Sequence, residues 1–265
     1  VLAERLGFAA DARLLIVNCD DLGVNPEATA GCLEAMRDGV ATDATLMVPC
    51  PDAANAASAT QGFDVGVHLT LTCEWADVRW GPVTGARSLQ REDGGMYRSV
   101  NGLLENATAE DVRDELLAQV ERALAWGVDV THLDSHMYAL HDHEPFFEIY
   151  LEVAREFGLP VRLAGSEVRP SAFRRRAREA GVVAPDHLVP LAHMGSRADL
   201  CVALRGLPAG VTEFHAHPSL PCGLPDSAAR EDDLALYLDP EFRAAIDEAG
   251  AVLISYRALR DVMRS

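Results

Sequence analysis

Short apolar runs rich in β-branched residues recur along the chain, and segments of helical composition separate them. The runs are LLIV (14–17), ATLMV (44–48), DVGVHL (64–69), VDVTHL (128–133), LPVRL (159–163), VTEFHA (211–216) and VLISY (252–256). Residues 27–38, EATAGCLEAMRD, have helical composition and stop at Gly39. Residues 109–126 make the clearest helix. Thr108 can cap it, Asp111 stands at the third position, and Leu116, Leu117, Val120, Ala123 and Leu124 form an apolar stripe. Residues 145–157 read as a further helix, stopped by Gly158 and Pro160. Strands separated by helices pair in parallel, because a parallel pair needs a long crossover. At 265 residues the alternation predicts a single (β/α) barrel over residues 1–265, an irregular seven-stranded, TIM-like one.

Two stretches break the rhythm. Residues 72–107 hold Trp75, Trp80, Pro82, Tyr97 and several glycines with little periodicity. They read as a loop insertion, and its aromatics are placed either to stack on a sugar ring or to cap the barrel edge. Residues 218–233 form a second irregular stretch.

The net charge of −18 argues against binding to a phosphate backbone. The run Arg174, Arg175, Arg176 and Arg178 is the exception, and it reads as a solvated helix face. All 23 basic residues are arginine, which excludes a Schiff-base lysine and a P-loop lysine. There is no G-x-S-x-G elbow. No apolar run approaches the ~20 residues of a membrane span, and VLAERLGFAA does not read as a secretory signal. Cysteines at 19, 32, 50, 73, 201 and 222 form no C-x-x-C pair, and reduced thiols fit a cytoplasmic protein.

Chemically capable residues fall where the strands end. LLIVNCDDLG closes the first strand with Asp20 and Asp21 side by side. Adjacent carboxylates repel, so one resists ionising unless a cation is near. The simpler reading is a turn with a helix cap. His68 lies in GVHL, His132, Asp134 and His136 in THLDSH, and His215 and His217 in EFHAHP. Parallel barrel strands converge at their C-terminal ends, so these groups can share one mouth. A carboxylate with two histidines is a recurrent divalent-metal set that leaves positions open for water. Such a metal would take one aspartate and leave the other to accept a proton.

IVNCDDLG, GVHLTLT, THLDSH and HAHPS resemble, in order and spacing, the signature segments of the YdjC-like carbohydrate deacetylases, which include chitooligosaccharide deacetylases. The resemblance runs from about residue 13 to 257. It implies a barrel of the deacetylase type, one divalent metal ion (zinc or magnesium), and removal of acetyl groups from N-acetylated amino sugars. By position, Asp21, His68 and His136 match the family's metal ligands, Asp20 the catalytic base, and His217 the general acid of its His-Pro segment. Arg162 resembles an arginine that steadies the base. Asp134 and His215 are the neighbouring positions: Asp134 either orients an imidazole or only terminates its strand. Two departures stand out. Tyr138 occupies a position where many members have histidine, and Ser219 replaces the glycine of His-Pro-Gly.

The expected chemistry is hydrolytic. Asp20 takes a proton from water, the acetamide carbonyl is attacked, and His217 protonates the leaving amine. His141, His143, His187 and His193 receive no role. The expected partner is a small carbohydrate, with no nucleic acid and no membrane, and a homodimer is compatible. Three other readings are kept: an iron oxygenase with the same two-histidine, one-carboxylate set, a non-catalytic sugar-binding protein, and a phosphoesterase. A deacetylase acting on another N-acetylglucosamine-containing molecule, such as a hopanoid glycolipid, keeps the same core.

Overall fold

In the computed structural model, residues 1–141, 143–164, 170–191 and 197–265 are described. The strands are β1 (Arg13–Leu22), β2 (Asp43–Leu46), β3 (Val65–Leu69), β4 (Val130–Ser135), β5 (His187–Pro190), β6 (Gly210–Ala216) and β7 (Ala251–Leu253). The helices are α1 (Leu2–Arg5), α2 (Pro26–Asp38), α3 (Ala53–Ala59), α4 (Val100–Asn106), α5 (Ala109–Ala125), α6 (Glu144–Phe157), α7 (Pro170–Glu179), α8 (Arg197–Arg205), α9 (Ser227–Tyr237), α10 (Pro240–Glu248) and α11 (Tyr256–Arg264). All described ladders are parallel, in the order β4-β3-β2-β1-β6-β5. β7 joins the N-terminal part of β1, at Arg13–Leu15, while β2 pairs with its C-terminal part.

The result is an α/β half-barrel. Among the described residues no ladder joins β5 to the β4 side, so the closed seven-stranded ring of the sequence expectation is not seen. Six of the seven expected strands form. The seventh, LPVRL, contributes one bridge, Leu133 to Val161. Pro160 has no N–H to extend it, and the Val161 N–H turns away to the Val183 carbonyl. β5, which did not stand out in the sequence, takes the place beside β6.

The helices follow their local signals. Asn25 caps α2 through the Ala28 N–H, Thr108 caps α5 through the Asp111 N–H, and Gly158 ends α6 in the left-handed region. The stripe of α5 is not the expected one. Leu116, Val120 and Ala123 are buried, but Leu124 is exposed, and Glu115 and Gln119 are buried with them. Glu115 accepts from the Val83 and Thr84 N–H groups, and Gln119 bonds both the N–H and carbonyl of Thr70.

Residues 72–107 are not structureless. They hold a 3₁₀ turn at Arg87–Leu89 and helix α4, and bridges pair Thr72 with Tyr97 and Gln90 with Met96. Trp75 and Trp80 are buried edge to face, 5.7 Å apart, in a cluster with Cys50, Cys73 and Met96. The capping reading therefore describes both tryptophans. Of the basic run on α7, Arg175 and Arg178 are exposed, while Arg176 pairs with Glu144 and Glu148 of α6. The stretch 218–233 becomes helical from Ser227. Among the described residues, no helix is long and apolar enough to cross a membrane.

Candidate active site

Strand register builds the site. Asn18 of β1 lies opposite Asp43 of β2 and His215 of β6, and His68 of β3 lies opposite Asp134 of β4. The C-terminal ends of β1, β3, β4 and β6 are thus level, and their polar residues meet.

Neighbours on a regular strand point to opposite faces. Asp20 and Asp21 escape this rule because the β1–β2 register shifts between Cys19 and Leu22, and Asp21 adopts φ +64°. That left-handed conformation is strained for a non-glycine residue, though Asp tolerates it better than most. It turns both carboxylates into the mouth.

Two buried arginines meet the like-charge problem, one for each acid. Arg162 donates to both oxygens of Asp20, each at 2.7 Å, and also to Asp134 and Glu213. Arg230 of α9 donates to Asp21 Oδ2 at 2.7 Å. Burial alone would raise both acids. The Arg162 guanidinium with His215, and the Arg230 guanidinium with His136, outweigh it and hold Asp20 and Asp21 well below the usual carboxylate range. Both acids are therefore ionised at neutral pH.

Among the described residues, buried Asp21 Oδ1 has no hydrogen-bond partner. It faces His68 Nε2 at 3.4 Å and His136 Nδ1 at 3.5 Å, and those two nitrogens are 3.2 Å apart. These three atoms could hold a metal ion. The other ring nitrogens are occupied: His68 Nδ1 by Asp134 Oδ1 at 2.7 Å, and His136 Nε2 by Glu74 Oε2 at 2.9 Å. Burial opposes a charge on His136, yet Glu74 and Asp21 outweigh it and push its pKa up to about 10.

A second group, Asp20, His68 and Asp134, is equally close. Its oxygens, however, already accept from Arg162, Asn18 and Thr45. Asp134 is bonded to the His68 ring rather than merely ending its strand.

His215 is buried, with Nδ1 3.2 Å from Asp20 Oδ2 and Nε2 2.9 Å from the Tyr138 hydroxyl. Burial and the Arg162 charge lower its pKa to about 4. His217 is about a third exposed, and its Nε2 lies 4.0 Å from Asp20 Oδ2. The His217 N–H donates to Asp233, and the following Pro218 and Ser219 cross α2 at Gly31, where a Cβ would lie 2.6 Å from the Ser219 Cα.

His132 does not reach the site. Its ring stacks on Tyr256 at 3.7 Å and packs against Gly66, where a Cβ would meet it at 2.6 Å. His141 lies among Phe147, Tyr150 and Phe173, and His193 lies outside the described residues. Sequence reasoning missed Glu74, Glu213 and Arg230. Glu213 lies on β6 two residues before His215, a spacing that puts both on one face. Glu74 and Arg230 fall in the stretches that looked irregular.

A family model described as YdjC-like protein matches residues 14–248. The chain belongs to that family. Relatives of this YdjC-like chain include a carbohydrate deacetylase of Geobacillus stearothermophilus, 33% identical over 92% of this chain and 97% of the relative. Another is a carbohydrate deacetylase of Thermus thermophilus, 34% identical over 99% of each. A crystal structure from Enterococcus faecalis V583, described as a candidate cellobiose-phosphate cleavage protein, superposes with a TM-score of 0.86 at 25% identity, over 94% of this chain and 99% of that one.

Proposed function

We propose that this YdjC-like chain is a metal-dependent hydrolase that removes the acetyl group from an N-acetylated amino sugar, such as a chitooligosaccharide, and releases acetate. The observation that carries the reading is the convergence of Asp21 Oδ1, His68 Nε2 and His136 Nδ1 beside a second ionised carboxylate, Asp20. Two relatives that span nearly the whole chain carry the name carbohydrate deacetylase.

Asp21, His68 and His136 would hold the ion. Two imidazole nitrogens with one carboxylate oxygen suit zinc better than magnesium, which takes oxygen ligands. When bound, the ion supplies an acidified water and polarises a carbonyl.

Asp20 accepts the proton of the attacking water. Arg162 and Asn18 fix the Asp20 oxygens, so little reorganisation accompanies that transfer. His217 stands on the open side of the mouth and gives a proton to the leaving nitrogen, which departs as a neutral amine. His215 is a poorer donor, because burial keeps it neutral and Tyr138 occupies its outer nitrogen. Tyr138 thus ties the neighbour of the base in place.

The same triad suits an iron oxygenase, but neither the relatives nor the second ionised acid supports that chemistry. Acetate release from a panel of N-acetylated sugars, with and without chelator, tests the proposal. Chelator-sensitive acetate is expected. Phosphate release without acetate, or turnover that needs oxygen, would replace the reading.

A further inference from the structure

The two histidines of the triad face it through different nitrogens. His68 offers Nε2 because its Nδ1 meets Asp134, and His136 offers Nδ1 because its Nε2 meets Glu74. A ring nitrogen against a carboxylate carries the proton, so each carboxylate decides which lone pair is free. Asp134 belongs to β4 and is fully buried. Glu74 belongs to the 72–107 insertion and is about a quarter exposed. Its neighbour Trp75 lies under the Arg230 guanidinium, 5.3 Å from ring centroid to carbon. Arg230 in turn takes Asp21 Oδ2 and leaves Oδ1 to face the two imidazoles. Two consecutive insertion residues thus reach two of the three ligands, Glu74 directly and Trp75 through Arg230.

We propose that Glu74 is a positioning residue that orients His136 to bind metal through Nδ1, so that the insertion completes the metal site as well as roofing it. The proposal rests on the metal reading of the triad. Orienting carboxylates of this kind are worth about 10–100-fold in metal affinity.

The test is calorimetric titration of Zn²⁺ into metal-free wild type, Glu74→Ala, Glu74→Gln and Asp77→Asn. Asp77 is an exposed acid of the same insertion and controls for charge alone. The expected result is one Zn²⁺ per chain in the wild type, a roughly 10–100-fold weaker Kd for Glu74→Ala, and an unchanged Kd for Asp77→Asn. Glu74→Gln matches the original shape, carries the test if the alanine variant does not fold, and should fall in between. Histidine ¹⁵N shifts of the zinc-loaded wild type should show His136 bound through Nδ1. In Glu74→Ala that signature should be lost or mixed. Wild type that takes no Zn²⁺ overturns the metal reading itself. Wild type that binds while neither Glu74 variant weakens beyond Asp77→Asn overturns the role of Glu74 alone.

Discussion

At the scale of single residues, Asp20 and Asp21 are adjacent, buried and ionised, yet they face different partners. Asp21 keeps one oxygen free toward two imidazoles, while both oxygens of Asp20 accept from Arg162. Asp21→Ala should lose metal and activity together. Asp20→Asn should keep its metal and lose ~10²–10⁴-fold in turnover, the scale of general acid–base catalysis. Metal analysis on the two purified variants separates the roles: a metal-free Asp20 variant beside a loaded Asp21 variant would reverse them. Asp20, Asp21, His68, Asp134, His136, His215 and His217 stood out in the sequence as strand-end polar residues, Arg162 came from the family resemblance alone, and the fold brings all eight together. What was not legible is how the two acids stay charged. A metal looked necessary, but two guanidiniums do that work, and Arg230 arrives 209 positions from its partner. No local pattern announces a contact of that length.

At the scale of elements, the insertion shows why periodicity fails where hydrogen bonding decides placement. Residues 82–84 have no repeating pattern to read, yet Glu115 of α5 receives the Val83 N–H, the Thr84 N–H and the Thr84 hydroxyl, at 2.9, 2.9 and 2.7 Å. Gln119, one turn on, donates to Glu115 and to the Thr70 carbonyl, and accepts the Thr70 N–H. One helix face therefore clamps both the insertion and the chain leaving the His68 strand. A stripe counted only in apolar residues overlooks it, because buried polar side chains sit in the same helical positions. Glu115→Ala would leave two backbone donors unpaired, at about 1–3 kcal/mol each where they are shielded from water. Urea unfolding should register a loss of roughly 2–4 kcal/mol. A loss under about 0.5 kcal/mol, the range of ordinary surface changes, would mean that water replaces the clamp at no cost. The parallel sheet was legible for a simpler reason: six of the expected apolar runs form its strands, whereas the expected closure into a ring is not seen among the described residues. LPVRL looked alike, but its ladder is stopped by Pro160, and Arg162 is committed to the site.

At the scale of the whole molecule, the buried histidines set the response to acid. Burial lowers His132 to about 3, and His141 and His215 to about 4, against about 6.5 in an unfolded chain. The unfolded state thus binds protons that the native state refuses, and stability falls as pH drops below about 6.5. From pH 7 to pH 5 each of the three contributes a loss of about 2 kcal/mol. His136, raised to about 10 in the metal-free protein, acts in the opposite sense. Its stabilisation is complete below the unfolded pKa and lost as pH rises through 10, so over the same window it returns under about 1 kcal/mol. His68 is raised too, because Asp134 outweighs its burial, and it acts in the same sense as His136. Asp20 and Asp21 are depressed, so their stabilisation fails only below the unfolded carboxylate range and leaves this window untouched. Asp43, Glu213 and Asp233 are raised by burial, so the folded state takes up their protons first and they too oppose the histidine loss as pH falls. His141→Phe isolates one cause. The His141 ring lies among the aromatic side chains Phe147, Tyr150 and Phe173, so phenylalanine keeps those contacts without titrating. Urea midpoints at pH 7 and pH 5 should lie closer together in the variant, recovering about 2 kcal/mol of the acid loss. An unchanged gap would show that His141 takes up its proton inside the folded protein, and its share of the acid response would then have to come from elsewhere.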